Sequence, residues 1–194
     1  MAPILASRGG VSARAYGMFG GLAAPLGDYQ AIMTATVDSG GASSITFSSI
    51  PSTFKQLQIR AMLKRSGGTA ADNTNLTFNS DTGSNYSWHQ LYGEGSSALA
   101  SAATSQTSIR TIHSDTTANV FGVGIIDILD YANTSKNKTT RTLAGWDDNF
   151  ATTGYILMRS GLWMSTAAVS TITMTPNSGS FAQYSSFALY GIKG

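Results

Sequence analysis

Metal binding or carboxylate–imidazole acid–base chemistry in this chain would have to come from His89, His113, Glu94 and a handful of aspartates, because there is no cysteine. Neither histidine has a second one within metal-ligand spacing. The carboxylate pairs are Asp127/Asp130 and Asp147/Asp148. Glycoside hydrolysis needs two carboxyls about 5 to 10 Å apart across a cleft. Residues three apart on a strand face opposite sides, and Asp147-Asp148-Asn149 has the composition of a turn. Asp72-Asn-Thr-Asn75 and Asp81-Thr-Gly-Ser-Asn85 offer oxygen ligands resembling part of a calcium loop, but neither has the bidentate glutamate that completes one. G-x-S-x-G, the phosphate-binding G-x-x-x-x-G-K-[ST] and H-E-x-x-H are all absent, and Gly122-Val-Gly124 lacks a third glycine. The sequence therefore assigns no catalytic residue, no metal and no cofactor, and reads as non-enzymatic.

Aromatic side chains are the remaining candidates. Tyr86, Trp88 and Tyr92 lie on one segment and could stack on a sugar ring beside the abundant hydroxyl and amide groups; the competing use for such rings is to fill a core. A second cluster, Arg8, Arg14, Tyr16 and Phe19, combines guanidinium groups and aromatics as interface anchors do.

These candidates need elements to position them, and composition indicates which kind. Only 11% of the 194 residues are charged, Glu94 is the single glutamate, and Ser, Thr, Gly, Tyr and Phe abound. That is a strand-forming composition, poor in the residues that face a soluble helix. The net charge of +2 is too small for a nucleic-acid footprint. It is also localised: Arg8 and Arg14 precede the first acid, Asp28, and the ten later basic residues balance the ten acidic ones. No window of 18 apolar residues marks a membrane span. The four N-x-[ST] sequons, at Asn75, Asn85, Asn133 and Asn137, are what so Ser/Thr-rich a chain contains by chance.

Residues 1–29 therefore read as an extended, Gly-rich arm that lies in a groove on a partner, and residues 30–194 as one β domain. Within it, short alternating segments are separated by turn clusters. The clearest runs from Phe54 to Arg65, with Leu57, Ile59, Ala61 and Leu63 on one face. Val123-Gly-Ile-Ile-Asp-Ile-Leu129 reads as a central strand buried on both sides. Gly95 to Thr107, mostly Ser and Ala, reads as a loop or a short helix. About ten strands without helical segments between them imply two packed antiparallel sheets, best matched by a jelly-roll-like β-sandwich with a strand or two added.

Ser43-Ser-Ile-Thr-Phe-Ser-Ser-Ile-Pro51, Tyr86-Ser-Trp-His89, Ile125-Ile-Asp-Ile-Leu-Asp-Tyr131, Ser160-Gly-Leu-Trp163 and Phe187-Ala-Leu-Tyr-Gly-Ile-Lys-Gly194 resemble small β-sandwich virion proteins of tailed bacteriophages. Those serve as tail appendages or adaptors and as capsid decoration proteins. Ser7 to Gly20 likewise resembles Gly-rich segments of tail-fibre proteins. The resemblance implies a structural protein, often a homotrimer, tethered to other virion proteins by its arm in a particle assembled in host cytoplasm. The alternative is a carbohydrate- or receptor-binding module for host attachment, with a host surface glycan as its partner.

Overall fold

The alternation of residues 54–65 forms a strand whose two faces meet different surroundings. The structure, a computed structural model, describes residues 28–68, 71–149 and 154–194. In it Leu57, Ile59, Ala61 and Leu63 are buried, whereas Arg60 and Met62 are exposed. The same logic repeats in β1 (Tyr29–Thr36), β2 (Ile45–Phe47), β3 (Gln56–Leu63), β4 (Arg65–Ser66), β5 (Asp72–Phe78), β6 (Tyr86–Gly93), β7 (Ala98–Gln106), β8 (Ile109–Ser114), β9 (Gly122–Leu129), β10 (Lys138–Trp146), β11 (Tyr155–Trp163), β12 (Ile172–Pro176), β13 (Ser180–Phe181) and β14 (Ser186–Ile192). The described residues contain no helix. The first strand begins at Tyr29, which pairs with Ile192, one residue before the expected domain boundary.

An eight-stranded antiparallel sheet, β1-β14-β3-β9-β10-β11-β6-β7, packs against a four-stranded one, β2-β12-β5-β8, and the short pair β13-β4 closes one end. The all-β sandwich expected from composition is thus the fold. Between the layers Leu57, Ile59, Ile126 and Ile128 meet Phe47, Leu76, Ile112 and Ile172 in a single apolar cluster. Full burial of each such side chain is worth about 1.5 to 3 kcal/mol.

The edge strand β8 approaches the large sheet closely because glycines lie beneath it. A Cβ on Gly124 would come within 2.5 Å of Ile112 Cγ1, and one on Gly161 within 2.5 Å of Ile109 Cγ2. A bulge between Asn73 and Asn75 shifts the β5–β8 register, so that Thr111 and Ile112, adjacent in sequence, are both buried.

Buried cations are enclosed by acceptors. Arg65 reaches Asp72 at 3.6 Å, Ser178 Oγ at 2.8 Å and the Ser114 carbonyl at 3.1 Å, tying β4 to β5 and β8. Lys138 Nζ donates to the carbonyls of Asn133, Lys136 and Thr166.

Two local expectations are corrected. Residues 98–106 are neither loop nor helix but the edge strand β7, because small Ser and Ala side chains suit a strand covered on neither face. The apolar run in β9 is not buried on both sides. Gly124, Ile126 and Ile128 face the core, while Val123, Ile125 and Leu129 are exposed, so the run fills one face and decorates the other.

Candidate functional site

The residues singled out by type fall into separate places. Tyr86 is fully buried: its hydroxyl donates to the Asp81 carbonyl at 3.0 Å and accepts from Phe78 N–H at 3.0 Å. Burial pushes its pKa up to about 12. Its ring stacks on Trp163, whose indole N–H donates to Asp81 Oδ2 at 2.7 Å. Trp88 is 5% exposed, with the Arg110 guanidinium 4.7 Å above its ring centroid. Tyr92 is partly exposed and lies 6.0 Å from Tyr155 in a tilted pair. The three rings therefore form no open stacking platform. Tyr86 and Trp88 are interior side chains, and only Tyr92 reaches the surface. Arg8, Arg14, Tyr16 and Phe19 lie outside the described residues.

The carboxylates of Asp72, Asp81, Asp127 and Asp130 are committed to protein partners. Asp127 accepts from Arg141 at 2.7 Å and Gln58 at 2.8 Å, and Asp130 pairs with Lys136 at 3.0 Å. Asp81 is held low in pKa, first by the Trp163 hydrogen bond and then by Asn85 and Gly83. Asp72 is taken up by Arg65, Asn177 and Ser178. Among the described residues no group of three or more His, Asp or Glu side chains could hold a metal ion, and no described helix is long and apolar enough to cross a membrane.

The outer face of the large sheet is where the surface departs from an ordinary one. Cross-strand register aligns Ile125 (β9), Leu143 (β10), Met158 (β11) and Leu91 (β6) in one row. The adjacent row carries Met62, Val123 and Ile156, with Gly145 between the last two. Exposure is 40% at Ile125, 53% at Leu143, 57% at Met158 and 65% at Ile156. At about 4.8 Å per strand, the five strands that carry these residues, β3, β9, β10, β11 and β6, span roughly 20 Å. Two such rows, about 7 Å apart, make an apolar patch on the order of 300 Å², the range in which the largest apolar patch of a monomer is often functional. A groove of about 1270 Å³ on this face is lined by Val123, Ile125, Leu143 and Ile156 together with Phe121 and Met62. The next row is polar: Gln58, Asp127, Arg141, Ser160 and His89.

Periodicity shows that the outward set is also apolar but not what covers it. In Thr139 to Trp146 and Tyr155 to Trp163 apolar residues occupy both alternating sets, which a sandwich with one wet side does not require. Comparison with known proteins returns nothing here: no family model, no curated protein and no solved structure matches the chain.

Proposed function

We propose that this chain is a non-enzymatic structural subunit of a bacteriophage virion, a tail-fibre or adaptor-type or capsid decoration component. In this reading copies of the β-sandwich associate through the outer face of the large sheet, and residues 1–29 hold them to a neighbouring virion protein. The observation that carries it is the exposed two-row apolar patch, which leaves Leu143, Ile156 and Met158 more than half exposed. A second copy is the occupant that fits. Residues 28–194 balance in charge, so copies approach without net repulsion, and the polar row beside the patch carries both signs, Asp127 and Arg141. A face that meets its own copy builds a two-fold interface, whereas a homotrimer would set it against a second patch of the neighbouring copy.

Strand order supports the same reading. With the three-strand meander β9-β10-β11 taken in place of one strand, we read β2-β12-β5-β8 over β3-(β9-β10-β11)-β6-β7 as jelly-roll-like, with β1 and β14 added at one edge. Jelly rolls recur in viral capsid and lectin domains, an argument by analogy of fold. The test is incorporation. A chain lacking residues 2–27 should fold yet be missing from assembled particles that carry the full chain; incorporation that survives the deletion removes the anchor from this account.

A further inference from the structure

The inner face of the large sheet is incompletely covered. β8 packs over β9, β10 and β11 and reaches β6, whereas β7 lies beyond it and is exposed along nearly its whole length. The ledge left there carries Gln90 and Tyr92 from β6, opposite Ser101 and Leu99 from β7. Gln90 donates to Ser101 Oγ at 2.7 Å, and all four side chains are at least partly open to solvent.

Two guanidinium groups stand at the inner margin of this ledge. Arg159 is 5% exposed; its Nε donates to Gln90 Oε1 at 2.7 Å and its Nη1 to the Thr111 carbonyl on edge strand β8. Arg110, partly exposed, lies over Trp88. Among the described residues neither arginine pairs with a carboxylate. Elsewhere the fold treats a buried arginine differently: Arg65 is given Asp72. A buried cation without a counter-charge is costly, by several kcal/mol for the ion alone. The surrounding groups sharpen the imbalance. Trp88 Nε1 and His113 Nδ1 are buried without a hydrogen-bond partner. Burial, and then the field of Arg110, lowers the Arg159 pKa to about 9; burial, and then Arg159, lowers that of His113 to about 4.

We propose that this ledge binds the carboxylate of an acidic sugar, with Arg110 and Arg159 as its charged partners and Gln90, Ser101 and Tyr92 flanking the ring. Guanidinium forks match a planar carboxylate. Amide, hydroxyl and a phenol edge suit ring hydroxyls and the apolar face of a hexose, which favours a saccharide over a bare anion. The site lies on the inner side of the sheet, away from the outer apolar rows, so it stands or falls independently of the assembly reading. It also differs from the aromatic trio read from the sequence: Tyr86 takes no part, and Trp88 serves as the support beneath Arg110.

Titration of the isotopically labelled full chain with galacturonate, galactose and inorganic phosphate, followed by NMR at the Trp88 indole N–H, tests it. Galacturonate should shift that resonance in a saturable way, and galactose at equal concentration should not. Arg110→Gln, at a partly exposed position that leaves the core intact, should weaken galacturonate binding tenfold or more, the loss expected for one charge-assisted contact. Arg159→Gln should do the same where the spectrum stays dispersed. No response to galacturonate, an equal response to galactose, tighter binding of phosphate, or unchanged affinity in a folded Arg110→Gln chain would each overturn the proposal.

Discussion

Replacing Leu143 by serine separates the outer face from the core. Leu143 sits mid-row between Ile125 and Met158 and is 53% exposed. Full burial of a leucine is worth about 1.5 to 3 kcal/mol, so covering its open half contributes about 0.8 to 1.6 kcal/mol per copy. In a two-fold interface each side loses that amount, about 1.6 to 3.2 kcal/mol together, or roughly 15- to 200-fold in dissociation constant. The fold itself should barely respond, within about 0.5 kcal/mol, because the side chain lies outside the core. Sedimentation equilibrium of the full chain across a concentration series reads the first quantity, and denaturant unfolding reads the second. A monomeric wild-type chain, or a Leu143→Ser chain that associates as tightly as wild type, would refute the reasoning. So would a stability loss as large as that of Ile59→Ala, which removes a fully buried side chain and should cost about 2 to 5 kcal/mol.

Further outcomes follow from the packing and the charges. Gly124→Val should cost about 1 to 3 kcal/mol in thermal unfolding, since its side chain would run into Ile112 and Ala144; an unchanged melting temperature would mean β8 does not sit so close. Asp81→Ala should cost about 1 to 3 kcal/mol by leaving the buried Trp163 indole N–H unpaired, with a change in near-ultraviolet circular dichroism as the check. His113 is pushed from 6.5 to about 4 on folding, so the unfolded chain takes up its proton first as pH falls. Its contribution, up to about 3 kcal/mol, is complete above pH 6.5 and disappears as pH drops towards 4. His113→Gln should flatten urea stability over that window. Asp72, Asp81 and Asp115, all held below the ordinary carboxylate range, lose their contributions only at still lower pH.

Where burial is one-sided and the pattern clean, the sequence is readable. Leu57, Ile59, Ala61 and Leu63 announce β3 because its other face carries Gln56, Arg60 and Met62. β9 misleads because its outward set, Val123, Ile125 and Leu129, is as apolar as its inward set. A run of that kind means either two buried faces or one buried face and one interface, and periodicity does not distinguish them. β7 was illegible for the opposite reason: Ala and Ser have little burial preference, and only hydrogen bonding to β6 makes that segment a strand. Of the aromatic trio, Tyr86 and Trp88 are buried and only Tyr92 reaches the surface, because β8 covers the face of β6 that they share only in part. The partners that give the ledge its charge, Arg110 and Arg159, are distant in sequence and meet there only once β8 lies across β11.

Three methionines can report on whether the outer apolar rows are covered when copies of the chain associate. Met62 and Met158 lie in those rows at 42% and 57% exposure. Met164, 46% exposed, sits past the end of β11, roughly 20 Å from Met158 at about 3.3 Å per residue. Peroxide footprinting of the full chain at low and high concentration, read by mass spectrometry, compares all three within one sample. Oxidation of Met62 and Met158 should be suppressed at high concentration while Met164 oxidises equally in both. Equal oxidation of all three at every concentration would contradict the claim that this face is where copies of the chain meet.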